Sequence, residues 1–174
     1  MAHTASASFS DSRYFNPLTS QMAGFLASIG LQTAPAVLPA CGFLDGLMIH
    51  EGVLLIDEAR LTYPGDVLHE AGHLAVVSGE KRQRLSGNVG GDPGEEMAAI
   101  AWSYAAALRL EIDPAVVFHS GGYLGGSQAI LENFSYGRYF GVPMLQWLGL
   151  TADKKNAVRL QVGPYPHMLK WLSA

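Results

Sequence analysis

The chain has 174 residues and a single cysteine, Cys41, which excludes any internal disulfide framework and fits a reducing cytosol. Charge is scarce: only 15% of residues are charged, and 11 Lys and Arg are outweighed by 15 Asp and Glu. The net charge of −4 and the lack of a basic stripe argue against a nucleic-acid partner. The one basic run, Lys81-Arg82-Gln83-Arg84, reads as a solvated turn. No apolar run reaches membrane-spanning length without Gly, Pro or a charge, so no membrane partner is expected. The N-terminus lacks the charged-then-apolar order of a signal peptide. There is no internal repeat, and only the Ser-, Ala- and Thr-rich start is compositionally biased. These absences point to a cytoplasmic protein with a loose arm over residues 1–12 and one domain over 13–174. They leave the oligomeric state open.

What the chain does have is apolar character, 49% of its residues, at a length that can bury a core without staples. Leu18, Met22, Phe25, Leu26 and Ile29 recur at helical spacing between Asn16 and Gly30. Thr33 to Ala40, with two prolines, reads as a connector. Phe43 to His50 and Val53 to Asp57 read as two strands joined by a tight turn at Glu51-Gly52. A helix then runs to about Ser78, with Thr62 or Asp66 as its cap and Gly79 as its stop. A further helix starts near Pro93 and carries an apolar stripe of Met97, Ile100, Ala101, Tyr104 and Leu108. Short helices are expected to His119, from Ser127, and over Pro143 to Leu148. Asp153 to Asn156 is expected to be exposed, and the tail around Trp171 to dock. The fold class is therefore α+β, with a small sheet and a mostly helical C-terminal half.

One motif carries chemistry. Residues 69–73 read His69-Glu70-Ala71-Gly72-His73, an H-E-x-x-H. Histidines four apart share one face of a helix, one turn above each other. Two imidazoles so placed can hold one Zn²⁺, with the glutamate between them acting on a water. The flanking residues, Val67-Leu68 and Leu74-Ala75-Val76-Val77, are apolar, so a buried helix here carries three polar side chains that need a reason. The plain alternative is an amphipathic helix with incidental polar residues. A chance H-E-x-x-H in a chain of this composition arises about once in a hundred.

A hydrolytic zinc usually takes three protein ligands. The metzincin extension H-E-x-x-H-x-x-G-x-x-H is absent, because Val76 and Gly79 occupy its last glycine and histidine positions. Glu95 and Glu96 open the following helix. Acidic residues in a first turn favour the helix dipole, so one of them has an ordinary explanation. Glu96 shares a face with Ile100 and is the preferred third ligand, with Glu95 the alternative. His119 is the rival outside that helix. His119 and Tyr123 are also candidate donors to an oxyanion, with Tyr136 and Arg138 behind them, and the glycines at 121, 122, 125 and 126 suit a mobile rim. His3, His50 and His167 have weaker claims. Asp66 or Asp92 could orient the zinc histidines from behind.

The run His69-Glu70-Ala71-Gly72-His73, followed by Gly94-Glu95-Glu96-Met97-Ala98-Ala99-Ile100-Ala101, resembles the gluzincin metallopeptidases, and among them the small ones similar to the ImmA/IrrE type. The resemblance covers roughly residues 44–108. It implies a single zincin-like domain in which His69, His73 and Glu96 bind zinc and Glu70 is the base. It also implies a sheet ahead of the motif helix whose edge strand, here Val53 to Asp57, pairs with an extended peptide. The Asn-Glu-x-x-x-Asp form of larger gluzincins is absent. A peptide deformylase reading, raised by Cys41 beside H-E-x-x-H, lacks that family's glycine-rich and Glu-Gly-Cys-Leu-Ser segments. The expected function is thus a zinc metallopeptidase acting on a peptide or protein segment in extended form. The alternative is a zinc-binding regulatory module with little or no turnover.

Overall fold

The computed structural model describes residues 9–40, 44–89 and 91–174. Local chemistry sets most helix starts. Helix α1 spans Pro17–Ser28. The Asn16 side chain accepts from the Leu18 N–H, and Pro17 sits in the first turn, where its missing N–H costs nothing. Strands β1 (Thr33–Pro35), β2 (Leu47–His50) and β3 (Val53–Ile56) follow. β2 and β3 form the expected hairpin, and His50 pairs with Val53 across a two-residue turn. Glu51 and Gly52 both have left-handed φ, 47° and 76°, which matches the right-handed twist of the two strands.

Two readings of this region need correction. Thr33–Pro35 is a strand and no connector: it pairs in parallel with β3, so the sheet order is β1-β3-β2. Pro35 is tolerated because β1 lies at the sheet edge. Consequently β3, Val53–Ile56, is the central strand and not the edge strand that the resemblance implied. Leu54 donates to Gln32 on one side while its register partner on the other is Ile49. The outer edge of β2 is also engaged, since Ile49 O accepts from the Gly87 N–H at 2.8 Å.

Helix α2 (Asp66–Val76) carries the motif. It starts at Gly65 without a side-chain cap, so neither Thr62 nor Asp66 caps it. It ends two residues earlier than the spacing suggests, at Val76. Ser78 then caps a separate short helix, α3 (Gly79–Arg84). The basic run is therefore helical, and Arg82 is half-buried, donating to the carbonyls of Leu74, Val77 and Ser173. Helix α4 (Pro93–Arg109) starts at Asp92, whose carboxylate accepts from Gly94 and Glu95. Met97 and Leu108 of the expected stripe are exposed. The buried face is instead the alanine-rich one through Ala98, Ala101, Trp102 and Ala105.

The C-terminal half adds α5 (Pro114–Val117), a one-turn 3-10 helix at Tyr123–Gly125, α6 (Ser127–Ser135), α7 (Val142–Trp147) and α8 (Lys154–Leu160). Asp153 caps α8, so that stretch opens a helix, with Asp153, Lys154 and Lys155 exposed and Asn156 half-buried. The tail docks through backbone carbonyls: Trp102 Nε1–H donates to Trp171 O at 2.9 Å, and the Ser173 N–H to Ala75 O at 2.9 Å. The arm expected over residues 1–12 is docked from Phe9, whose ring meets Phe25 edge-on with centroids 5.4 Å apart. The whole is a mixed α+β arrangement around one core that includes Phe25, Ile49, Leu68, Trp102 and Phe134.

Helices α2 and α4 make the most extensive helix contact in the molecule. Gly72, inside the motif, explains how close they come. A Cβ at that position would lie 2.9 Å from the Ala99 carbonyl oxygen and 3.1 Å from Ala99 Cα. Gly72→Ala gains about 1 kcal/mol of helix propensity. Overpacking against backbone costs about 1–3 kcal/mol and should exceed that gain. We expect a net loss of about 1 kcal/mol, read as a lower urea midpoint at unchanged slope. Zinc affinity should fall with it, because the same contact sets the distance between the histidines and Glu96.

Candidate metal centre

His69 and His73 project from one face of α2 toward the first turn of α4. Their Nε2 atoms are 3.2 Å apart. The Glu96 carboxylate closes the triangle, with Oε1 3.4 Å from His69 Nε2 and Oε2 3.2 Å from His73 Nε2. Glu95, one residue earlier, turns the other way and pairs with Lys81. Glu70 is buried on α2, and its carboxylate lies within 4.8 Å of the ligand atoms of both histidines. Among the described residues, His69, Glu70 and His73 form a cluster able to hold a metal ion.

The residues present fit a tetrahedral zinc. With Zn–N and Zn–O bonds of about 2.0–2.1 Å, tetrahedral ligand atoms stand about 3.3–3.4 Å apart; the two imidazole nitrogens are 3.2 Å apart and each lies within 3.4 Å of a different oxygen of the Glu96 carboxylate. The donor set points the same way. Two imidazole nitrogens and a carboxylate lie within 3.4 Å of one another, so their lone pairs repel unless a proton or a cation lies between them. In the metal-free protein, protons can supply it. Burial pulls the His69 pKa down, but the hydrogen bond with Glu96 and the charges of Glu70, Glu96 and Asp66 outweigh it, so the net shift is upward. The two histidines hold the Glu96 carboxyl far below its ordinary range. Burial raises the Glu70 carboxyl, although the two histidines offset part of that rise. A carboxylate so raised is a better base than an exposed one.

The cluster lines a cleft of about 730 Å³. His119 and Tyr123 line the same cleft, as do Tyr63, Asp66 and Leu124. His119 is held by Asp66, with its Nε2 2.8 Å from Asp66 Oδ1. Asp66 therefore serves His119, and Asp92 caps α4. Among the described residues, the Nδ1 atoms of His69 and His73 are buried without a hydrogen-bond partner. Tyr123 lies edge-on to His69, with ring centroids 5.1 Å apart. Its hydroxyl is buried without a partner, and burial pushes its pKa up, so it stays protonated and able to donate. Tyr136 and Arg138 stack on each other and do not line the cleft. His50 and His167 are exposed elsewhere. His3 and Cys41 lie outside the described residues.

Sequence reasoning missed Tyr63, the Asp66–His119 pair and Leu124. No local pattern marks them, since Asp66 and His119 are 53 residues apart. Leu124 has φ 52° directly after Tyr123 at φ 56°, and its side chain is fully exposed. Left-handed backbone costs a non-glycine residue about 1–2 kcal/mol. Glycine would relieve that at an entropic cost of about 0.4–1 kcal/mol, and an exposed side chain forfeits no packing. We therefore expect Leu124→Gly to stabilise the protein by about 0.5–1 kcal/mol in urea unfolding. Equal or lower stability would show that the turn is not strained.

No helix among the described residues is long and apolar enough to cross a membrane. No protein-family profile, curated protein or solved structure matches the chain.

Proposed function

We propose that the chain is a cytoplasmic zinc metallopeptidase of gluzincin type, with a zincin-like fold, acting on peptide or protein segments. The observation that carries this reading is the close approach of His69, His73 and Glu96 to one another beside the buried Glu70. Zinc, when bound, supplies Lewis acidity, which lets a water give up a proton near neutral pH and polarises a carbonyl. His69, His73 and Glu96 would hold it. Glu70 accepts the water proton as the water oxygen bonds to the peptide carbonyl carbon. Negative charge gathers on the carbonyl oxygen, and the Tyr123 hydroxyl is a donor to it in the cleft; His119, whose Nε2–H faces Asp66, can add a second from Nδ1 only as the imidazolium. Glu70 returns the proton to the amide nitrogen as the C–N bond breaks, leaving a carboxylic acid and an amine, which exchange one proton to become a carboxylate and an ammonium.

The test is direct. Zinc-loaded protein is incubated with a mixture of unstructured peptides, and new termini are read by mass spectrometry. Cleavage should cease with 1,10-phenanthroline and return with added zinc. No cleavage above a chelated control would sink the reading.

A second reading, a zinc-binding regulatory module with little turnover, has one observation in its favour. β3 is paired on both sides, and the segment 85–87 runs beside the end of β2 and its turn, with the Gly87 N–H donating to Ile49 O and the Gly52 N–H to Leu85 O. An extended peptide would have to displace that segment to pair along β2.

A further inference from the structure

Tyr63, Asp66 and His119 form a cluster on the wall of the cleft. Asp66 Oδ1 lies 2.8 Å from His119 Nε2. The Tyr63 ring lies face to face on the imidazole, with centroids 3.7 Å apart and planes 9° from parallel. Two glycines make room for this pair. A Cβ at Gly121 would lie 2.6 Å from the Tyr63 hydroxyl oxygen, and one at Gly122 would lie 3.1 Å from His119 Cε1. The glycine-rich loop thus closes directly over two stacked rings.

A single hydrogen bond fixes where Nε2 sits but leaves the ring free to turn about the N···O line. That turn would swing Nδ1, the one imidazole nitrogen without a partner, through an arc. A parallel aromatic face at van der Waals distance removes the freedom, because any tilt loses contact on one side and collides on the other.

We propose that Tyr63 is a positioning residue that fixes the plane of the His119 imidazole, so that Asp66 and Tyr63 together determine where Nδ1 points. The kinetic consequence rests on the peptidase reading; the ring geometry does not. Stacking needs the ring and not the hydroxyl, so Tyr63→Phe keeps the function and Tyr63→Leu loses it. Tyr63 is partly exposed, so neither change opens a core cavity.

The experiment has two arms on the zinc-loaded full chain. NMR of ¹⁵N- and ¹³C-labelled histidine follows the His119 ring, assigned with His119→Gln. In the wild type its Cε1–H signal should be sharp and shifted upfield by the stacked ring. Tyr63→Leu should abolish the upfield shift and broaden the signal, and Tyr63→Phe should restore both. The second arm measures kcat and KM on the most rapidly cut peptide. Tyr63→Leu should lower kcat about ten- to a hundredfold with KM and zinc content unchanged. Tyr63→Phe should recover most of that loss. Gly121→Ala, which drives a methyl into the Tyr63 ring, should lower kcat in the wild type but add little to Tyr63→Leu. An unchanged His119 spectrum in Tyr63→Leu overturns the proposal, whether or not the protein cuts peptides. An altered spectrum without any cleavage in the wild type leaves the stack standing and removes the peptidase reading.

Discussion

Glu70→Gln is expected to lower kcat on peptide substrates by about 10²–10⁴-fold while one zinc per chain is retained. Glutamine keeps the shape and most of the hydrogen-bonding capacity of glutamate but cannot accept a proton from water. Glu70 is well placed for that proton, being buried on α2 with its carboxylate within 4.8 Å of both histidines' ligand atoms. Because Glu96 faces the two histidines at 3.2 and 3.4 Å, a metal held by these three would not need Glu70 as a ligand. Loss of rate with metal retained separates a base from a ligand. The measurement is steady-state kinetics beside elemental analysis of the same preparation. A Gln variant as fast as the wild type would remove Glu70 as the base. A variant that loses its zinc would make Glu70 a ligand and reopen the role of Glu96.

The rival without turnover is separated by the same variant in a different assay. If zinc serves only to order a binding surface, Glu70→Gln changes neither metal content nor any partner's affinity, and the wild type cuts nothing. The engaged edge of β2 gives that rival its physical footing, since a peptide gains little from a strand whose Ile49 carbonyl already accepts from Gly87. His119 and Tyr123 argue the other way. The His119 Nδ1 and the Tyr123 hydroxyl line the cleft with no partner among the described residues, so both are available to a bound peptide.

What could be read from the chain was what local chemistry determines. Asn16-Pro17, Asp92-Pro93 and Asp113-Pro114 each pair a capping side chain with a first-turn proline, and each opens a helix where expected. Glu51-Gly52 marks the hairpin because two left-handed residues are a requirement of that turn. The i, i+4 histidines and the alternation of Glu95 outward with Glu96 inward follow from helical periodicity alone. What failed depends on contacts distant in sequence. Thr33–Pro35 becomes a strand only because β3 offers it a parallel edge. Asp66 could not be assigned, because in its first-turn position a cap, a support for zinc histidines and a partner for His119 look alike until residue 119 is brought next to it. Met97 and Leu108 were misjudged for a similar reason. Alanines make the closer helix contact, so the bulkier residues are left outside.

Glu96→Gln is expected to weaken zinc binding at least a hundredfold, and Glu95→Gln to leave it unchanged. Partners that only support a ligand from behind are worth about 10–100-fold in metal affinity, which sets a floor for a group that touches the ion itself. Glutamine at 96 keeps an oxygen near the histidines but removes the negative charge that both imidazoles now face at 3.2–3.4 Å. Glu95 instead pairs with Lys81 on a partly exposed surface, where an ion pair contributes about 0–1 kcal/mol and has no bearing on the metal. The comparison is made by competition with a zinc chelator near neutral pH, and checked by heat denaturation. Zinc should raise the wild-type midpoint, since a ligand bound only to the folded chain stabilises it by mass action. Zinc should raise the Glu95→Gln midpoint equally and the Glu96→Gln midpoint little. Affinity should also fall as pH is lowered. The shift of His69 is upward, so its folded-state proton stays on to higher pH than in a free histidine, and zinc must displace it. Metal binding is therefore complete above that raised pKa and lost as the pH drops through it. Zinc affinity as high in Glu96→Gln as in Glu95→Gln would remove Glu96 from the site, leaving Glu70, or His119 once freed from Asp66, as the third ligand.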